Sequence, residues 1–175
     1  MAKIELDLNP VERITTDAIG KPGSRVFYLQ ANQGDQVITL LVEKIQIQSL
    51  AMGVEQFLTE LTHKYPNLTD DILDVKEEIM HIIPPVDPLF RVGEIGLGYD
   101  DEHDQVILVA REISGEDDKP EEMGVVRFWC TRSQLRALCQ WGIEVTNQGR
   151  PICPQCGQPM DPEGHFCPKK NGHKH

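Results

Sequence analysis

Cys153 and Cys156 are separated by two residues in Cys-Pro-Gln-Cys-Gly, and Cys167 follows in His165-Phe166-Cys167, with His173 and His175 further on. Thiolates at that spacing, in a turn shaped by Pro154 and Gly157, can point at one tetrahedral centre. With one imidazole they supply the four donors of a closed structural Zn²⁺ site. Between residues 150 and 175 the large apolar side chains are Ile152, Met160 and Phe166, set among prolines and glycines. A piece this short cannot bury a sufficient core. Structural zinc contributes roughly 10–16 kcal/mol of apparent binding free energy in small peptide modules, enough to order such a segment. The metal is therefore expected to be its core, with Cys153, Cys156 and Cys167 as thiolate ligands. Two histidines compete for the fourth position. In an extended segment His165 and Cys167 point the same way, and Gly164 frees the approach of the chain. His173 offers the alternative Cys-x5-His spacing, closed by a turn through Asn171-Gly172.

Other chemistry-bearing residues read more simply as structure. Asp100-Asp101-Glu102-His103-Asp104 has carboxylates for a hard cation or for acid/base work, but it lacks the glycine and spaced oxygens of a calcium loop and reads as a solvated hairpin tip. Gly93, Gly96 and Gly98 reverse the dinucleotide order and fall within a strand, so they do not make a phosphate cradle. Trp129 and Trp141 read as packing residues. Cys130 and Cys139 sit in apolar surroundings and are expected to be core thiols; Cys139 has no His or Asn partner nearby in sequence that would mark a nucleophile. No G-x-S-x-G, P-loop or HExxH pattern occurs. No catalytic and no organic-cofactor residue is assigned.

The formal net charge is −11. Residues 1–150 hold 14 Lys and Arg against 26 Asp and Glu, and residues 151–175 hold 3 against 2. Such a body repels nucleic acid and anionic membrane. With no N-terminal apolar stretch of a secretory signal, and no apolar run near the ~18 residues of a spanning helix, a cytoplasmic address is expected. Cysteine usage fits a reducing compartment.

The elements that must position these groups are legible in the hydrophobic periods. Residues 11–19 are a weak strand. Arg25–Ala31 and Gln36–Val42 are strands joined by the turn Asn32-Gln33-Gly34-Asp35. Ile47, Leu50, Val54, Leu58 and Leu61 recur at three and four residues, which predicts an amphipathic helix over Lys44–Lys64. A short helix is expected over Asp71–Glu78, then a stiff Pro84-Pro85 connector. Leu89–Tyr99, Gln105–Ile113 and Gly124–Cys130 read as strands, and Thr131-Arg132-Ser133-Gln134 is a capping box that starts a helix through Val145. Three strands and a helix occur twice, over 11–65 and 89–147. The expected fold class is α+β: antiparallel sheet from two such units, with two helices covering one face over residues 1–149, and the zinc-binding tail over 150–175.

Arg13 through Ala31, the Glu43-Lys44-Ile45-Gln46 step, Phe90-Arg91-Val92-Gly93, and Gly149-Arg150-Pro151-Ile152-Cys153 continued through Asp161-Pro162-Glu163-Gly164-His165-Phe166-Cys167-Pro168 together resemble a bacterial family of uncharacterised conserved proteins. That family is a domain of unknown function typical of actinobacteria and chloroflexi. The resemblance spans nearly the whole chain and implies a bacterial cytoplasmic protein whose body and tail form one unit; it carries no established activity. It also implies His165 as the fourth ligand, since the motif includes that histidine. This chain departs from the family at His173, where an aromatic residue is usual. The leading expectation is a non-catalytic binding or adaptor protein with a structural zinc site and a protein partner. The alternatives are a metal-dependent hydrolase, using an open zinc position or the Asp100–Asp104 cluster, and a nucleic-acid-binding protein, which the acidic charge opposes.

Overall fold

A computed structural model describes residues 3–21, 23–68 and 77–148. In chain order the elements are β1 (Glu5–Leu8), β2 (Arg13–Ile19), β3 (Val26–Gln33), β4 (Gln36–Val42), α1 (Lys44–Lys64), α2 (Glu77–Met80), β5 (Val92–Asp100), β6 (Gln105–Glu112), β7 (Val125–Cys130) and α3 (Arg132–Asn147). The class is α+β, with two sheets and three helices among the described residues.

The expected single antiparallel sheet is corrected to two sheets. β2-β3-β4 form one antiparallel meander, and β5-β6-β7 form a second whose far edge is extended by β1. β1 runs parallel to β7, with Glu5 opposite Val125 and Leu8 opposite Phe128. This strand escaped the periodicity reading because it has four residues, too few for alternation to register, and its partner lies at the other end of the sequence.

Two lead-in segments join the sheets. At one margin Leu41 N–H donates to the Phe90 carbonyl at 3.0 Å and Leu89 N–H to the Thr39 carbonyl at 2.9 Å. At the other, Val11 N–H donates to the Trp129 carbonyl at 2.9 Å, and Glu12 N–H then donates to the Asn32 carbonyl at 2.8 Å. The chain entering each meander therefore pairs first with the last strand of the other meander. Hydrogen bonding runs from β2 through β7 and back to β2, and the alternate residues facing inward share one core. Leu8, Leu40, Val106, Leu108, Phe128 and Leu135 are fully buried in it.

Both meanders lead into a helix, and both helices start in the same way. The Gln46 Oε1 accepts from Glu43 N–H at 2.8 Å and the Gln134 Oε1 from Thr131 N–H at 2.9 Å, each relieving an amide that the helix leaves open. The other end of each glutamine reaches across: Gln46 Nε2 donates to the Val92 carbonyl at 3.0 Å, and Gln134 Nε2 to the Val11 carbonyl at 3.2 Å. Each side chain thus ties its own helix start to the entry strand of the other unit. α1 has the predicted bounds and buries Ile47, Ala51, Val54, Leu58 and Leu61.

The helices do not share one sheet face as expected. α3 lies on β2, and α1 packs against α3. Gly142 permits that approach, since a Cβ there would lie 2.8 Å from Ile47 Cγ2 and 3.2 Å from Thr16 Cγ2. Trp141 is buried beside it and donates its indole N–H to the Thr16 carbonyl at 2.8 Å. Of the helix expected over Asp71–Glu78, only the α2 portion from Glu77 falls within the described residues.

Candidate functional site

The expected metal ligands Cys153, Cys156, His165 and Cys167, and the competing His173, lie outside the described residues. The described chain does show the point from which they depart. α3 runs to Asn147, and Gln148 N–H closes its last turn on the Glu144 carbonyl at 3.0 Å. Arg25 Nη1 donates to the Val145 carbonyl at 2.9 Å, with its guanidinium 5.0 Å from the centre of the Phe27 ring. A cation held there meets the negative end of the helix dipole and satisfies one of its last carbonyls. The C-terminal end of α3 is therefore a fixed platform.

Beside that platform a groove of about 990 Å³ opens between α1 and the end of α3. Ile45, Met52 and Ile143 line it at 65%, 77% and 47% exposure, with Glu55 and Glu60 along the α1 side. Ile45 and Met52 are seven residues apart, so they share one side of α1, displaced from the Ile47–Leu61 stripe that faces the core. They lie off the stripe that sets the helical period, and their spacing at two turns is the available sequence signal.

The Asp100–Asp104 stretch is the β5–β6 hairpin tip, as expected from its polarity. Asp100, Glu102 and His103 place one ligand atom each within 4.8 Å of one another. His103 Nδ1 lies 2.8 Å from Asp100 Oδ2, and that contact raises the imidazole above its usual range and holds the Asp100 carboxyl below its own. Asp104 is separate from this group and turns toward Arg132 and Tyr99. Its two oxygens take Arg132 Nε and Nη2, both at 3.0 Å, and one also accepts from the Tyr99 hydroxyl at 2.7 Å. The Arg132 hydrogen bonds keep the Asp104 carboxyl below the ordinary carboxylate range. Burial, then the hydrogen bond to Asp104, pushes the Tyr99 hydroxyl up to about 12. Arg132, 3% exposed, pins the start of α3 to the hairpin.

A second polar cluster fastens residues 79–83 against β2 and β3. Gln30, fully buried, accepts from Arg13 Nη2 at 2.6 Å and from Ile83 N–H at 2.8 Å, and donates to Thr39 Oγ1 at 3.1 Å. Thr15 Oγ1 donates to the Met80 carbonyl. Asp17 Oδ2 lies 3.1 Å from His81 Nδ1, and the His81 ring meets Trp141 edge-on at 5.2 Å. These side chains supply the connector with the partners that a sheet ladder would otherwise give.

Cys130 and Cys139 are the core thiols that the sequence suggested. Both are buried and unbridged, and burial pushes each thiol up to about 12, with Glu55 adding to the effect at Cys139. Trp141 packs as expected. Trp129 instead lies half-buried with its indole N–H donating to Asp7 Oδ1 at 3.2 Å, on the sheet surface where β1 meets β7. No helix among the described residues is long and apolar enough to cross a membrane.

Residues 6–167 match a family described as "Protein of unknown function (DUF3090)". The match covers most of the chain, which belongs to that family. No curated protein and no solved structure matches it.

Proposed function

Starting from membership of that family, we propose that this protein is a zinc-stabilised, non-catalytic binding protein in which Cys153, Cys156, His165 and Cys167 hold one Zn²⁺. The observation that carries this is the donor set itself: three thiols and an imidazole within a segment that has no apolar core of its own. Cys130 and Cys139, the two remaining thiols, are consumed by the core of the body. Zinc here is structural, and the site is closed by four protein ligands.

The binding role belongs to the body. Its excess of twelve acidic groups, 26 against 14 over residues 1–150, favours a basic protein partner, whose association would be steered by charge and weakened by salt. Generic duplex or single-stranded nucleic acid is repelled for the same reason. The hydrolase reading draws on the closeness of Asp100, Glu102 and His103. That group sits on a hairpin tip with Glu102 and His103 exposed to solvent, which does not supply the water exclusion that favours hydrolytic chemistry.

Elemental analysis of protein purified without metal supplements tests the proposal. The expected result is about one zinc per chain, with faster proteolysis of residues 150–175 after chelation. A small fraction of an equivalent, with proteolysis unchanged by chelator, ends the zinc reading.

A further inference from the structure

Among the described residues, the two most exposed large apolar side chains are Met52 and Ile45, and both face the groove between α1 and α3, with Ile143 opposite. Apolar side chains grouped along a groove and rimmed by carboxylates make a candidate interaction surface. Three observations bear on what covers it. The groove ends at Thr146 and Asn147, in the last turn of α3, and residues 149–175 leave from that same end. Those residues bring Ile152, Met160 and Phe166, which have no core of their own, and Lys169, Lys170 and Lys174, which complement Glu55 and Glu60 on the α1 side. The reach also suffices. Asn147 and Cys153 are six positions apart, about 20 Å when extended, comparable with the lining of α1 from Ile45 to Glu60, which runs about 23 Å at 1.5 Å per residue.

We infer that this groove is the seat of the chain's own residues 150–175, docked with their apolar side chains on Ile45, Met52 and Ile143. The inference deepens the zinc reading by giving the metal-holding segment a place on the body. The family match extends from residue 6 in the body to Cys167 in the tail, so the two belong to one family sequence. Docking in this place also brings the lysines of the tail onto the acidic side of α1.

The test uses the full chain with p-benzoylphenylalanine in place of Met52, irradiated as purified and analysed by mass spectrometry, with zinc content measured on the same sample. Cross-links from position 52 to peptides within 150–175 of the same chain are expected. Cross-links joining two chains would assign the groove to a second copy and overturn the inference, as would a yield no higher than from the same probe at exposed Ile113. Met52→Glu provides an independent readout, because a side chain this exposed can be exchanged without unfolding the body. Trypsin cleavage after Lys169 and Lys170 is expected to become about tenfold faster in that variant; an unchanged rate also overturns the inference. Zinc near one equivalent without the cross-link ends the docking while the zinc reading stands. The cross-link without zinc does the reverse.

Discussion

Phe128, Leu108 and Leu135 are fully buried in a core shared by both sheets, whereas residues 150–175 hold three large apolar side chains and five candidate metal donors for four positions. The two regions face the same thermodynamic problem, since ordering a residue costs roughly 1–2 kcal/mol of backbone entropy in either place. The body offsets that cost with apolar area drawn from strands far apart in sequence. A segment of this length has little such area, and a tetrahedral ion can offset the cost with four ligands. Cysteine therefore has opposite meanings in the two regions: in the body it is a small apolar side chain with a suppressed thiolate, and in the proposed zinc site it would serve as a thiolate.

Cys156→Ser draws the contrast most sharply. It removes one of four ligands from a site worth roughly 10–16 kcal/mol in peptide modules, so stoichiometric zinc is expected to be lost while the thermal transition of the body, followed by near-UV circular dichroism, shifts little. A collapse of that transition would show that the body depends on the metal as well.

Phe128→Ala is the converse experiment. Emptying a fully buried aromatic site costs about 3–5 kcal/mol, enough to move the urea midpoint of the body substantially. Zinc binding by the tail should survive in the folded fraction.

Thiol accessibility separates the regions by chemistry. After chelation at pH 8, Cys153, Cys156 and Cys167 are expected to react promptly with a disulfide reagent, and Cys130 and Cys139, each pushed up to about 12, only on unfolding. Five prompt thiols would contradict the burial of the last two.

Within the body, Asp104→Asn is expected to cost about 2 kcal/mol. This is less than the 3–5 of a fully buried pair because Asp104 is 45% exposed while Arg132 is 3% exposed. The folded carboxyl titrates below its ordinary value of 3.8, so its contribution is complete above that pH and disappears as pH falls through the lower folded value. The difference between wild type and variant in urea titrations should therefore shrink below about pH 4. A smaller effect, about 1 kcal/mol each, is expected for Gln46→Ala and Gln134→Ala, which release equivalent ties between helix starts and entry strands.

The helices were legible because their signals are local. Ile47 through Leu61 set the period of α1, and Thr131 with Gln134 set the start of α3. The division into two sheets was not legible, because it depends on where Val11 and Phe90 change partners, and neither residue carries a local mark of that change. β1 was hidden by its length, and the Arg132–Asp104 pair by the hairpin that brings it together. Ile45 and Met52 were visible as apolar residues off the main stripe, but their meaning required Ile143 to be placed opposite them. The candidate metal donors are the reverse case: Cys153, Cys156 and Cys167 are read from spacing, His165 is chosen over His173 by the family resemblance, and all lie outside the described residues.

X-ray absorption at the zinc edge tests the central claim most directly, using full-length protein purified without added metal, together with its His165→Ala and His173→Ala variants. The expected shell is three sulfur ligands at about 2.3 Å and one nitrogen at about 2.0 Å, unchanged by His173→Ala, with zinc lost in His165→Ala. Three protein ligands and a water would contradict a closed structural site and support the hydrolase reading. The opposite response of the two histidine variants would transfer the fourth position to His173.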